Sequence, residues 1–485
     1  MDELHNLKAR LSYNILQNVF YMKNVLTIMQ GGCVIDTQDL QIDIKGVYPM
    51  KKTLAAILAG AMALSLTACG GSSDSAGSAA GEDGKITLSM LHFYTDEEAK
   101  TNLETQAYVN SMNTYIEEHP DINFDIQTMS HNDYPVKIQA LSAADELPDV
   151  FIVKGSWVEN FVNNEQLADL TEYKDTVEWA DDFYDGVFDS CTIDGKIYGV
   201  PNQFPAPTSM VFYDSELWAQ AGYSTFPETW EEVEEASAKF KEQGIETTVA
   251  LGNKEQWNYE SCWFSTLADR YTGTDWMNNI LARDGSAKFT DEDFVSALKF
   301  TADLGASGIL NPDYNSITGQ QANDLFIQGK AASVITGNWD ISYFLTNADE
   351  SFTDRIKIAA LPQPAGAEKG EKGSMSSSSG WFVAVNSKLE GEKLEATLDF
   401  AFSIAGPEFS KNNAELQGGL SPVKYEFDTS TLPQLRQDYI AIAAEVPPAP
   451  VYDVVLSTEI VDVLNAGLQG VLDGTVSPED LAQQV

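Results

Sequence analysis

The chain has 485 residues, with 29 Lys and Arg against 73 Asp and Glu and four His, a formal charge of −44 at pH 7. Affinity for nucleic acid comes from basic side chains that neutralise phosphates, so a surface this acidic, with no basic run, excludes nucleic acid and direct docking on anionic headgroups. A hydrophobic fraction of 43% with 11% aromatic residues is that of a globular chain with a sizeable core, at the length of about two large domains. Four cysteines, Cys33, Cys69, Cys191 and Cys262, make neither a disulfide framework nor a CxxC zinc pair.

The first ordered signal begins at Met50, where Lys51 and Lys52 precede the Ala- and Leu-rich run 53–66. A cationic start and an apolar stretch too short to remain as a membrane span are the marks of an export signal. Leu66-Thr67-Ala68-Cys69-Gly70 follows and resembles a bacterial lipobox, which implies that Cys69 carries a diacyl anchor. Residues 70–84, almost wholly Gly, Ser, Ala, Asp and Glu, then read as a flexible tether. On this reading Met50 is the start, residues 50–68 the signal and 69–85 the lipidated Cys and tether, with 1–49 a misassigned start or a real extension. Residues 69–485 hold 23 Lys and Arg against 68 Asp and Glu, which suits an extracellular protein that stays soluble and is repelled by a like-charged wall.

Past the tether, Ile86 to Leu91 alternates as a strand. Glu97 to Glu118 reads as one helix, with Leu103, Ala107, Val109, Met112, Tyr115 and Ile116 at helical spacing and His119-Pro120 as its stop. Ile122 to Thr128 and Val150 to Val153 read as further strands. Apolar runs alternating with amphipathic helices imply an α/β fold whose mostly parallel sheet is covered on both faces, with ligands gathering at the carboxyl ends of its strands. Thr229-Trp230-Glu231-Glu232 spells a capping box, with Gly244 ending the helix, and Ser477-Pro478-Glu479-Asp480 opens another helix with Pro at its first position. Residues 362–379, rich in Gly, Lys and Ser, read as an exposed loop leading into the strand Trp381 to Val385.

Short pieces occur in order: Asp194-Gly-Lys-Ile-Tyr-Gly-Val-Pro201 ahead of Val211-Phe-Tyr-Asp214, Thr229-Trp230-Glu231-Glu232, Phe326-Ile-Gln-Gly-Lys-Ala-Ala332 leading to Thr336-Gly-Asn-Trp339, and Gly419-Leu-Ser-Pro422. With the lipobox in front, this order resembles the family 1 extracellular solute-binding proteins of carbohydrate ABC importers, the maltose-binding-protein-like group, over about residues 86–485. The resemblance implies a two-lobed periplasmic-binding-protein fold of type II, with a ligand cleft between two α/β lobes joined by crossover strands. It suggests lobe 1 as 86–208 with 381–424 and lobe 2 as 209–380 with 425–485. It also implies a protein anchored to the outer face of the cytoplasmic membrane that hands a sugar to permease and ATPase subunits; no cofactor is expected, and the oligomeric state stays open, with nothing in the sequence against a monomer.

A pyranose presents an apolar C–H face and a rim of hydroxyls, so its site needs flat aromatic rings and short polar groups. Trp339 follows a Gly-Asn turn at a strand end and is the first candidate, where the family pattern places a stacking aromatic. Trp257 lies in the polar stretch after the strand Thr247 to Leu251, whereas Trp263 reads as core. Trp381 opens a crossover strand and reads as either hinge packing or a cleft aromatic. His92 and Tyr94 end the first strand, as ligand contacts or as satisfied core groups. Ser156 and Trp157 follow Val150 to Val153, in a Lys154-Gly155-Ser156-Trp157 stretch that lacks the acidic partner of maltose-binding-like proteins. Gln203 is a candidate hydroxyl partner from the crossover, and Asp340 either a further one or a helix cap.

Catalysis is the rival class. A secreted glycosidase needs two carboxylates about 5 to 10 Å apart, and acidic residues are too numerous here to single out a pair. There is no GxSxG elbow, HExxH, P-loop or EF-hand loop, which leaves nucleophile, phosphate and metal sites unmarked. A binding protein for a peptide or a polyamine is the alternative within the same fold, although a cationic ligand calls for acidic groups rather than aromatics in the cleft. Cys191 and Cys262 stand open between free and bridged.

Overall fold

The computed structural model describes residues 84–416 and 419–485. The run 53–66, Cys69 and the tether up to residue 83 therefore lie outside the described residues. Among those that are described, no helix is long and apolar enough to cross a membrane.

Lobe 1 is built on a five-stranded sheet in the order Ile122–Thr128, Ile86–His92, Val150–Lys154, Trp381–Val385, Val200–Pro201. The first three strands run parallel, and Trp381–Val385 is antiparallel to both of its neighbours. Val150, Phe151, Ile152 and Val153 are all fully buried, as expected of a strand covered on both faces. The helix expected from Glu97 starts later: a 3-10 turn at Glu98–Lys100 comes first, and the α-helix is Leu103–Glu118. Asn102 breaks the run, because its side chain accepts the Thr105 N–H at 3.0 Å and so begins a new helix.

Lobe 2 is built on a four-stranded sheet in the order Ile356–Ala359, Met210–Asp214, Ala331–Thr336, Thr247–Ala250. Ala331–Thr336 is buried along its whole length, parallel to Thr247–Ala250 and antiparallel to Met210–Asp214. The helix Trp230–Glu242 packs Trp230, Val233, Ala236 and Phe240 into the core. Only half of its expected capping box forms: Thr229 accepts the Glu232 N–H, but the Glu232 carboxylate takes the Thr229 hydroxyl rather than its N–H. The C-terminal helices Thr458–Leu472 and Pro478–Gln484 also belong to this lobe, the second capped by Ser477 and opened by Pro478.

Between the lobes lies a small three-stranded sheet of Ala206–Pro207, Met375–Ser378 and Pro448–Ala449. The chain leaves lobe 1 through the first, returns through the second, and the two pair antiparallel. The reading of 362–379 as an exposed loop holds for its first part, where residues 365, 366, 368, 369, 371 and 372 are exposed, and is corrected at its end, where Met375–Ser378 is a strand. Ser374, Met375 and Ser376 are each at most 1% exposed. The Ser376 N–H donates to Ser209 and Thr266 hydroxyls at 3.0 and 2.9 Å, and its own hydroxyl donates to the Pro450 carbonyl. Serine-rich composition signals a loop only where water satisfies the hydroxyls; here protein groups bond those of Ser376, Ser377 and Ser379.

Both thiols are free and buried, Cys191 in the lobe 1 core and Cys262 in that of lobe 2.

Candidate ligand cleft

The cleft side chains leave from strand ends. In lobe 1, Val150–Lys154 ends at Lys154, and Trp381 lies opposite Lys154 in the antiparallel register. His131 comes three residues after the end of Ile122–Thr128. In lobe 2, Ala331–Thr336 runs into Gly337-Asn338-Trp339, and Thr247–Ala250 runs into the loop that carries Trp257. Ligands of open α/β sheets gather at these carboxyl ends.

Their rings form a row that crosses from one lobe to the other. Trp339 and Trp257 have centroids 5.9 Å apart, Trp257 and His131 6.1 Å, His131 and Trp381 5.3 Å, and Trp381 and Trp157 5.3 Å edge-on. The step from Trp257 to His131 is the step between lobes. Trp257 is turned into the row by Gln256, whose φ of 69° lies in the left-handed region uncommon for a residue with a Cβ. Its indole N–H has no acceptor among the described residues. Trp339 lies against the backbone: a Cβ on Gly337 would sit 2.2 Å from its ring, so only glycine allows this approach.

Trp339 and Trp257 are half-buried, whereas Trp381 and Trp157 are only 8% and 6% exposed. Trp381 is packed by Phe93, Tyr134 and Trp157 as well as His131, which combines the two roles left open for it: a lobe 1 core ring that ends the cleft row. Ser156, in the first turn of the helix Gly155–Asn163, and Gln203 are half-buried.

Three expected contacts stand elsewhere. His92 is fully buried inside lobe 1; its Nδ1 accepts the Tyr94 N–H at 3.2 Å, and burial pushes its pKa down to about 4. Tyr94 is 8% exposed, its hydroxyl accepts the Asn202 amide at 2.7 Å, and its ring packs on Phe93 and Tyr108. The pair thus belongs to the lobe 1 core, as does Phe93 between them, and His92 Nε2 is buried without a hydrogen-bond partner among the described residues. Asp340 neither caps its helix nor faces ligand freely. Its carboxylate accepts the Thr336 hydroxyl at 2.6 Å and is also bonded by Asn323 and Trp339, and burial raises its pKa. Asp340 therefore fixes the Trp339 indole.

Sequence reasoning missed His131. It sits in the polar stretch Ser130-His-Asn-Asp, which has no periodicity, yet the strand-end rule that selected His92 and Ser156 selects it too. Burial, then the Lys154 ammonium, pushes its pKa down to about 4, so the ring is neutral at pH 7.

Below the row, Lys154 pairs with Asp453 of the segment Tyr452–Val455, whose Tyr452 is in the lobe 2 core. A Cβ on Gly155 would sit 2.8 Å from Val454, so glycine admits that segment. Glu260 lies beside the pair, fully buried in the π-helical turn Glu260–Phe264. Burial, then Asp453, raises its pKa well above the carboxylate range. The Lys154 ammonium also stands 5.7 Å over the Trp381 ring. Among the described residues no three His, Cys, Asp or Glu groups are placed to hold a metal ion.

The family model described as bacterial extracellular solute-binding protein matches residues 100–406. The chain belongs to that family. A binding protein of Brucella abortus (strain 2308) is 24% identical over 434 residues, 89% of this chain and 96% of its own length. The maltodextrin-binding protein MdxE of Bacillus subtilis (strain 168) is 24% identical over 73% of this chain and 78% of its own. Among solved structures, a chitin oligosaccharide binding protein superposes with a TM-score of 0.73 at 21% identity, over 82% of this chain and 97% of that one. A maltose-bound protein of T. maritima gives 0.66 at 21% identity, over 82% and 97%. Both the two-lobed fold and the family are those of binding proteins, not enzymes.

Proposed function

We propose that this solute-binding protein captures a neutral sugar or oligosaccharide between its lobes and delivers it to the permease of an ABC importer. On this reading Cys69 carries the lipid that holds it at the outer face of the cytoplasmic membrane. The supporting observation is the aromatic row from Trp339 through Trp257 and His131 to Trp381, which offers flat apolar faces from both lobes at one place. A pyranose stacked on Trp257 of lobe 2 and reaching His131 and Trp381 of lobe 1 gains from closure because it touches both lobes, and closure is worth only that difference in affinity. Ser156, Gln203, the neutral His131 ring and the Trp257 N–H supply short polar partners for hydroxyls. The names of relatives that bind maltodextrin and diacetylchitobiose support the same class.

Thermal melting of residues 70–485 with maltotriose, xylotriose and diacetylchitobiose, and with a tripeptide, spermidine and phosphate, tests this. Ligand at about a hundred times its Kd adds about 2.7 kcal/mol to the native state. A rise with one saccharide, recovered chemically unchanged, is the expected result. A rise with the peptide or spermidine alone would sink the sugar assignment, and consumption of the sugar would make the protein an enzyme.

A further inference from the structure

We propose that Glu104 is a positioning residue for the cleft, reaching from lobe 1 to hold the Asn338-Trp339 turn of lobe 2 in the closed arrangement. This rests on the cleft being the ligand site and adds what holds the site shut. Glu104 lies in the first turn of the helix Leu103–Glu118, whose Ala107, Tyr108, Met112 and Tyr115 are anchored in lobe 1. Its carboxylate meets groups of the other lobe: Arg436 Nη1 at 3.5 Å and the side chain of Asn338. Arg436 is fully buried in the helix Gln434–Glu445, and its Nη2 donates to the Ser342 hydroxyl at 2.5 Å. Ser342 belongs to the helix Asp340–Asn347 that Trp339 begins. One carboxylate from lobe 1 therefore grips the platform on both sides of the indole, directly at Asn338 and through Arg436 at Ser342. Withdrawing it strands a buried guanidinium, which is strongly unfavourable.

The contact is also linked to protons. The groups facing Glu104 are Arg436 and Tyr439 of the lobe 2 helix, Asn338 of the turn, and Tyr94 of lobe 1, with Glu98 beyond Tyr94. Burial, set against the pull of Arg436, raises the carboxyl from 4.5 to about 7. With the lobes apart the first helical turn faces water and the carboxyl returns to its ordinary range. The closed form then binds more protons between about pH 4.5 and 7, so Glu104 strengthens closure as pH falls through 7. His131 acts in the opposite sense: held at about 4 against an ordinary 6.5, it weakens closure as pH falls through 6.5. Comparing Glu104→Gln with the native chain cancels the His131 contribution, since both carry it.

Residues 70–485, native and Glu104→Gln, are titrated with whichever of maltotriose, xylotriose and diacetylchitobiose binds, from pH 8 to pH 5. The ratio of native to variant affinity is expected to grow about tenfold between pH 8 and pH 6. Parallel profiles would overturn the proposal, since loss of packing alone leaves the pH dependence untouched. Asn338→Ala serves as a second variant: affinity should fall about tenfold or more at pH 8 with unchanged melting of the ligand-free protein, in line with one lost hydrogen bond to a charged group. Should none of the saccharides bind, the sugar reading fails, and the clasp is read without ligand. The radius of gyration from small-angle scattering should then shrink from pH 8 to pH 6 in the native chain and not in Glu104→Gln, and equal behaviour of the two would overturn it.

Discussion

Trp381 and Trp339 stand at opposite ends of one aromatic row and are held by different means. Trp381 opens a buried strand of the lobe 1 sheet and is enclosed by Phe93, Tyr134 and Trp157, so its ring is as much core as cleft. Trp339 sits in a turn, half-exposed, lying on Gly337 and bonded by Asp340. One face of the cleft is thus cut into a finished core, while the other is a ring mounted on the outside of one. Stability and binding are fused in the first and separable in the second.

That contrast breaks if the two tryptophans respond alike to truncation. Trp381→Ala should cost about 3–5 kcal/mol of lobe 1 stability, read by denaturant unfolding, with loss of binding following from it. Trp339→Ala should weaken sugar affinity by about thirtyfold or more, the range of an interface hot spot, with ligand-free stability within about 0.5 kcal/mol of native. A matching fall in ligand-free stability would make Trp339 a core residue. Gly337→Ala sharpens the point, because the new Cβ must displace the indole without removing it: affinity should fall about tenfold, measured by titration calorimetry, at a strain of about 1–3 kcal/mol. The smallest effect is expected at Arg283, whose exposed pair with Glu159 joins the two lobes at 3.1 Å. Arg283→Ala should change affinity by no more than about threefold, and less still at high salt.

The α/β class and the family were legible in the sequence, and so was the placing of Trp339, Trp257 and Trp381 near strand ends, because strand runs, turns and an order of short pieces are local patterns. The reading failed where meaning came from a distant partner. Nothing local shows that the hydroxyls of Ser376 and Ser379 meet Thr266, Pro450 and Gln203 instead of water. Likewise His92 and Tyr94 read either way until Tyr108 and Asn202 are seen to pack and bond them inside lobe 1. Glu104 and Arg436 are 332 residues apart, and no spacing rule joins them.

The free thiols carry a practical consequence. Beyond Cys69 the chain has two thiols, Cys191 in one lobe and Cys262 in the other, both buried and both protonated at neutral pH because burial raises their pKa. Neither reacts with a thiol reagent unless its own lobe opens, so the molecule holds two internal clocks. The rate at which each sulfur is labelled reports the opening of its lobe alone, with and without sugar, and needs no added probe.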